Sequence, residues 1–591
     1  MPETNESFLT CLTPAARAAI GKYFEAIRFP KEKCLMREGE PGDGCYLVDE
    51  GEVRLELHPP DADSESVLGY LSAGSVVGEL ALLDGKPRSA SAYAHTAVAA
   101  RWLSRARFDA LCGEEPLLGV AILSMLGRQL ASKLRHQDDV LAEHLHAAEP
   151  DAETQRMVAA AVAAQKEFAS WSEERVDALL ADVSETVAAQ AEQLAEANVA
   201  DTGIGIVADK VAKIRFACRE VYRTMAGRPA SGLLPREPLR GVSEIASPAG
   251  VVLGIIPVTN PVSTIIFKTL ISLKGRNALI ISCLCEAMHV GEMTGELIRG
   301  VLVRHKAPLG IVQWIGGRLD RRKTLMFMRH PDVSLILATG GPSIVRVAYS
   351  SGKPALGVGA GNAPVLVCAD ADLAATARLV IRGKSFDNGV ICGSENNLVV
   401  VEAARDGLIR ELEANGAAIL TADEGRQLGA LIFDEKGGHL RRELVGKSAA
   451  HLAGLISLKR REVPRLLVVP VQLDELATPY GREKLAPVVS LFTVRNGDEG
   501  IAVCQRLLEQ EGRGHTAVIH TRDEAMAKRF GLEIPASRIL VNACGSEGCI
   551  GIGTGLAPSF TLGCGTLGGN STSDNVTYTH LLNIKRLAFA L

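Results

Sequence analysis

Two stretches of this sequence hold side chains that could do chemistry. In SFDNGVICGSE, residues 385–395, Cys392 follows a glycine-containing turn and comes just before the run NNLVVVE. A thiol held between a turn and a strand can face a substrate, and its thiolate is a nucleophile toward an electrophilic carbon. A free cysteine can equally be a buried structural residue, and that is the reading for the other cysteines. In GELALLDGKPRSASA, residues 78–92, an acid, a short apolar turn, a glycine turn and an arginine followed by small residues share one loop. A buried anion wants backbone N–H groups from a short helix and one bidentate guanidinium, and a ribose hydroxyl wants a carboxylate acceptor. Glu79 and Arg88 are therefore the parts a cyclic phosphate needs. The same residues also fit a surface turn with an ordinary exposed arginine.

Two textures must position these groups. From about residue 8 to 112, short β-rich runs broken by glycine turns, as in EGEPGDGCYLVDEGEVRLEL, predict a compact antiparallel barrel. Helical texture follows to about residue 145, and the polar stretch around AAEPDAET predicts a linker over 146–160. Next come helices. Ser172 is an expected N-cap, Glu173 and Glu174 follow it, and Val176, Leu179, Leu180, Val183 and Val187 share one face. From Gly250, the runs GVVLGIIPV, NALIIS, SLILA and APVLVC alternate with longer periodic segments, which predicts α/β structure with parallel sheets. SLILATGGPSIVRVAYSSGKP reads strand, Gly340 and Gly341, then helix. That is a nucleotide-binding geometry in outline, although TGGP alone is a weak signal.

At 591 residues the chain calls for three or more compact units, and 47% hydrophobic with 23% charged residues is globular composition. A net charge of −5 supplies no basic field for nucleic acid or acidic lipid, so small-molecule ligands are expected. No apolar run reaches the ~18 residues of a membrane span, and the N-terminus MPETNESFLT is acidic where a signal peptide is basic. The 13 cysteines show no framework spacing, which fits reduced thiols. A cytoplasmic protein without a nucleic-acid or membrane partner is expected.

Residues 8 to about 145 closely resemble the cyclic-nucleotide-binding domain family. The likeness rests on the cassette at 78–92 and on EGEPGDGCYLVDEGEVRL, where Gly42, Gly44 and Gly51 match the family's barrel turns. The resemblance implies that Gly78, Glu79, Arg88 and Ser89 bind a cyclic nucleotide. Glu79 would take the ribose 2'-hydroxyl, Arg88 the cyclic phosphate, and Ser89 a further phosphate contact. Ser89 occurs in binders of both nucleotides; cAMP is favoured over cGMP as the effector. LGRQLASKLRHQDDVL, residues 126–141, is the candidate for the helix that caps the base. The acidic, alanine-rich region after it does not fit a helix-turn-helix, which argues against a transcription factor.

Residues 155 to 588 resemble the aldehyde dehydrogenase superfamily, and specifically its CoA-acylating branch. IIPVTNPVSTIIFKTLISLKGRNALI, ALGVGAGNAPV, EKLAPVV, GHTAVI and TLGCGTLGGNS appear in the family's order. The implied fold is multidomain α/β: a Rossmann-like cofactor-binding part with oligomerisation elements at 161–355 and 570–591, and a catalytic part at 356–569, behind the N-terminal barrel domain at 1–145. The implied roles are Cys392 as nucleophile, Asn260 as the amide that stabilises the oxyanion, and His515 at a position where acylating members have a histidine. Thr259, Gly340, Gly341, Gly357 and Glu483 would face the cofactor, with Glu483 on the nicotinamide ribose and the two glycines at the pyrophosphate. The cofactor is NAD, with NADP possible. Hydrolytic members carry a glutamate in the motif that aligns with ALGVGAGN, whereas this chain has Gly357 there. Without that base a second thiol is a better acceptor than water, so coenzyme A is the implied co-substrate.

The expected activity is reversible oxidation of a short aldehyde to its acyl-CoA in a homo-oligomer under cyclic-nucleotide control. The rival reading is a cyclic-nucleotide sensor or scaffold whose dehydrogenase module is inactive. Two departures bear on this. The acylating branch has a Pro-His-Pro-type segment where this chain reads CLCEAMH, with Cys283, Cys285 and His289. Two thiols and one imidazole lack a fourth ligand nearby, so no metal is expected. The sequence ends at Leu591 without an iron-dependent alcohol dehydrogenase half, so the reaction is expected to stop at the aldehyde.

Overall fold

The computed structural model describes residues 21–57, 66–124, 126, 150–235, 239, 241–316, 321–434 and 438–590. The chain divides into two compact units, Met1–Ala147 and Ala148–Leu591.

In the first unit, two four-stranded antiparallel sheets enclose a core. One runs Glu25–Phe29, Val98–Ser104, Gly44–Glu50, Val76–Val77; the other runs Cys34–Met36, Ser91–Ala94, Glu52–Leu57, Ser66–Ser72. Val48 and Val77 of the first pack with Val53, Ala92 and Ala94 of the second. Gly51 turns the chain between adjacent strands at φ 89°, and a Cβ there would meet the Ala97 carbonyl oxygen at 2.3 Å. No other residue fits that turn without displacing backbone. Helix Glu79–Asp84 starts directly after Gly78. Apart from its first residue, the candidate base-capping helix at 126–141 lies outside the described residues.

The second unit is built on two parallel sheets, as the alternating strand and helix runs predict. The five-stranded sheet runs Val312–Trp314, Ala278–Cys283, Val251–Ile256, Val333–Thr339, Ala355–Val358. Its earliest strand in the chain, Val251–Ile256, lies at the centre, and the order reverses beside it. In open α/β sheets ligands gather at such a switch point, beyond the carboxyl ends of the strands. All six residues of Val251–Ile256 are buried, as a strand covered on both faces requires. The seven-stranded sheet runs Ala417–Ile419, Leu466–Pro470, Val488–Val494, Glu395–Val401, Ala363–Val367, Gly514–His520, Ala536–Val541. A third, antiparallel sheet pairs Val242–Pro248 with Gly232–Leu233 and with Leu582–Ala588.

Ser172 caps helix Glu173–Ala189 by accepting from the Arg175 N–H, and Val176, Leu179, Leu180, Val183 and Val187 are buried. The segment 146–160, whose polarity reads as a linker, is helical from Ala152. Asp151 caps helix Ala152–Phe168, and Val158 and Ala161 are buried in the core, so the apolar spacing there outweighs the polar composition. Among the described residues, no helix is long and apolar enough to cross a membrane.

Candidate active site and nucleotide cassette

Cys392 sits between helix Leu373–Ser385 and strand Glu395–Val401. The turn ahead of it is left-handed at three consecutive residues, Asp387, Asn388 and Gly389, with φ of 49°, 55° and 73°. Asp and Asn tolerate this conformation better than most side chains, and the surroundings must still hold it. They do so through the Asp387 carboxylate, which accepts from the Ile206 N–H at 2.8 Å, lies 2.8 Å from Lys210 Nζ, and accepts from Lys213 Nζ. Burial pushes the Cys392 thiol up to about 12, with Glu483 and Cys564 adding to the rise and Arg538 opposing it.

Asn260 stands directly ahead of Pro261, the first residue of helix Pro261–Lys274, where a proline costs no hydrogen bond. Its carbonyl accepts from Thr264 Oγ1 at 2.6 Å, its Oδ1 accepts from Lys213 Nζ, and its Nδ2 donates to Thr259 Oγ1 at 3.2 Å. Strand Val251–Ile256 and this helix thus place Thr259 and Asn260 at the switch point, beside Gly340 and Gly341 at the end of strand Val333–Thr339. Gly341 opens helix Pro342–Tyr349, whose first N–H groups suit a phosphate.

These pieces converge on one cavity of ≈ 540 Å3 lined by Thr259, Asn260, Gly340, Gly341, Cys392 and Glu483, with Val390, Ile391, Ile550, Phe560 and Leu562 forming apolar wall. Glu483 Oε1 accepts from the Gly361 N–H at 3.2 Å. Burial, reinforced by Glu511, raises its carboxyl to about 8. Gly361 lies against the nucleophile, and a Cβ there would meet the Cys392 carbonyl oxygen at 1.7 Å.

Two expected site residues are not part of the lining. Gly357 is set back in strand Ala355–Val358, where its N–H donates to Tyr349 Oη at 2.9 Å and a Cβ would meet Val345 Cγ1 at 2.7 Å. Gly359, Ala360 and Gly361 line the cavity instead. His515 is fully buried in strand Gly514–His520 with Nδ1 2.9 Å from Thr516 Oγ1, and its Nε2 has no partner among the described residues. Burial, with Arg538 nearby, holds its pKa well below the usual histidine range. In CLCEAMH, Cys283 is buried while Cys285 and His289 are exposed, so the three do not converge. Among the described residues no three His, Cys, Asp or Glu side chains are grouped to hold a metal ion. Leu284 lines the cavity, and Glu286 pairs with Arg442, another lining residue.

In the first unit Arg88 and Glu79 are both buried, and Ser89 is exposed. Arg88 Nη1 donates to the carbonyls of Gly44 at 2.6 Å and Gly78 at 3.0 Å, while Nη2 donates to Asp43 Oδ1 at 3.1 Å. A Cβ at Gly78 would meet Nη1 at 2.5 Å, so the glycine makes room for the guanidinium.

Sequence reasoning passed over Lys210, Lys213 and Asp387. The available signal was two lysines three apart in VADKVAKIRF, on the helix face that also carries the buried Val211 and Ile214.

With this geometry, the chain belongs to the aldehyde dehydrogenase family, which matches residues 128–553, and it carries a cyclic nucleotide-binding domain, matched over residues 26–115. Aldehyde-alcohol dehydrogenase 2 of Entamoeba histolytica is 39% identical over 449 residues, which are 74% of this chain and 51% of that protein. The chain thus spans about half the length of that relative. An acetylating aldehyde dehydrogenase from Geobacillus thermoglucosidasius has a crystal structure similar to this one, with a TM-score of 0.72 and 38% identity over 74% of this chain and 96% of that one. A propionaldehyde dehydrogenase from Rhodopseudomonas palustris, solved with bound CoA and an acylated cysteine, has a TM-score of 0.66 at 26% identity and covers 74% of this chain and 97% of its own.

Proposed function

We propose that this chain oxidises a short apolar aldehyde to its acyl-CoA with NAD(P)+, through a thioester on Cys392, and that a cyclic nucleotide bound at Glu79, Arg88 and Ser89 regulates it. The observation that carries the acylating reading is the lining around Cys392: Glu483 is the one carboxyl among the described residues there, and its Oε1 already accepts from the Gly361 N–H. Burial raises that carboxyl to about 8, which makes it a poor base for water near neutrality. The relatives named for acetylation and the acyl-cysteine structure with CoA support the same reading.

The chemistry follows from the lining. The Cys392 thiolate adds to the aldehyde carbon, and the carbonyl oxygen becomes an alkoxide. Asn260 Nδ2–H and the Cys392 N–H are the donors for that oxygen, a contribution on the order of 10²-fold in turnover for each such donor. As the carbonyl re-forms, the aldehyde hydrogen departs as hydride, and a thioester remains on Cys392. The CoA thiolate then attacks the thioester carbon and Cys392 leaves as thiolate. NAD(P)+ supplies the hydride acceptor; Gly340 and Gly341 at their helix start, with Thr259 and Glu483, are the residues that would hold it. Apolar wall at Ile550, Phe560 and Leu562 suits an uncharged alkyl substituent.

For the effector, cAMP is favoured over cGMP, and both belong in the test. The exposed edge strand Leu582–Ala588 supports a homo-oligomer, since unpaired strand edges favour pairing with another chain. The described cysteines are all free thiols, which fits a reducing cytoplasm. The rival reading, an inactive scaffold, is disfavoured because Cys392 and Asn260 face one cavity. The test is NAD(P)H formation with a panel of aldehydes, with and without CoA and each nucleotide. No turnover with any aldehyde in the presence of CoA would overturn the enzymatic reading.

A further inference from the structure

Behind the cavity lies an ion cluster that the chemistry above does not use. Lys210 and Lys213, 2% and 1% exposed, project from helix Val207–Phe216 toward Asp387. Lys210 Nζ donates to the Thr259 carbonyl at 2.6 Å, and the Asp387 N–H donates to Asp209 Oδ2 at 2.7 Å. Lys213 Nζ makes two contacts, one to Asp387 Oδ2 and one to Asn260 Oδ1. A primary amide has an oxygen end that accepts and a nitrogen end with two N–H donors, and its partners decide which end faces where. With Oδ1 on an ammonium and one Nδ2–H on Thr259 Oγ1, the second Nδ2–H is left for an oxyanion in the cavity.

We propose that Lys213 is a positioning residue for the reaction: anchored by Asp387, its ammonium fixes and polarises the Asn260 amide so that Nδ2–H meets the thiohemiacetal oxygen. The inference rests on the oxyanion role of Asn260 given above. Asp387 belongs to the left-handed turn that carries Cys392, so the same ion pair sets the amide and the nucleophile in register. Lys210, Lys213, Asp387 and Asp209 form one buried charge cluster, and burying charge is costly unless its partners repay it. The amide oxygen is the partner Lys213 meets outside that cluster.

A double-mutant cycle on the full chain tests this, with K213M, N260A and the double variant assayed for kcat and KM in the presence of CoA and NAD(P)+. K213M leaves Lys210 paired with Asp387, and Asp209, whose pKa burial raises, can take up a proton, so the fold is expected to persist. K213Q, neutral but still a donor, runs through the same cycle in case K213M does not fold. The expected result is a loss in kcat of roughly 10- to 100-fold for K213M with the aldehyde KM within about threefold, and a further loss below about threefold when K213M is added to N260A. Alkylation of Cys392 by iodoacetamide, followed by mass spectrometry, should keep its rate within about threefold, because it needs no oxyanion donor. Wild-type kcat in K213M, losses that multiply in the double variant, or Cys392 alkylation that falls with turnover would overturn the proposal. Wild-type turnover in N260A would instead remove the oxyanion reading beneath it.

Discussion

Leaving CoA out of the assay probes the central chemical claim directly. Hydrolysis of the Cys392 thioester needs a base to activate water, and such a base is worth roughly 10²- to 10⁴-fold in rate. Glu483 is the one carboxyl among the described residues that line the cavity. Burial, reinforced by Glu511, raises its pKa to about 8, so the carboxyl favours its protonated form at pH 7 and its ionised form only at higher pH. Its Oε1 is also occupied by the Gly361 N–H. The expected result without CoA is one NAD(P)H per active site, then a rate below about 1% of the CoA-supported rate at pH 7. Stopped-flow absorbance gives the burst, and mass spectrometry of the quenched protein should find the acyl group on Cys392. Steady release of free carboxylate without CoA would refute the reasoning. A residual rate that rises between pH 7 and pH 9 and disappears in Glu483→Gln would identify Glu483 as a hydrolytic base.

Cys392→Ser should cut dehydrogenase turnover to below a few per cent, with thermal unfolding unchanged by scanning calorimetry; an aldehyde-derived adduct on another residue would contradict the assignment. Gly361→Ala should lower kcat at least about 100-fold, because its Cβ would meet the carbonyl oxygen of Cys392, whose own N–H is the proposed oxyanion donor; near-normal kcat would show that this segment can relax. Arg88→Ala removes the main counter-charge for a cyclic phosphate, a loss of roughly 3 to 5 kcal/mol, so titration calorimetry with cAMP and cGMP should show affinity weakened by a few hundredfold or more. Saturating nucleotide should shift wild-type turnover by about 5- to 150-fold in either direction, the range of ordinary coupling energies; binding without any change in rate or assembly would remove the regulatory role.

The parts of this molecule legible in its sequence are those encoded by local spacing. Ser172 and the apolar face behind it announced a helix, and Val251–Ile256, apolar at every position but its glycine, announced a strand covered on both sides. Cys392, Asn260, Gly340, Gly341 and Glu483 were reached through motif order and do line one cavity. The support beneath them was not legible, because its contacts span great sequence separations: Lys213 meets Asn260 47 residues on and Asp387 174 residues on. A buried lysine reads as a solvated one until its partners are known. Gly357 shows the converse limit. Its motif aligns with a cofactor-facing position, but the side of the strand it faces is filled by Val345 and Tyr349, which only tertiary packing reveals.

On the proposed route, the environment of Cys392 bears on how an acyl group there would wait for CoA. Burial raises both the Cys392 thiol and the Glu483 carboxyl, so both groups favour their protonated forms. An incoming aldehyde meets apolar walls at Val390, Ile391, Ile550 and Phe560, and these also leave a water beside the thioester few partners to order it. A thiol attacks such an ester with less help than water needs, because it ionises far more readily and is intrinsically more nucleophilic. On the proposed route, selectivity for CoA over water then needs no dedicated gate. It would follow from an apolar cavity with an amide donor for the oxyanion and a carboxyl, Glu483, that favours its protonated form near neutrality.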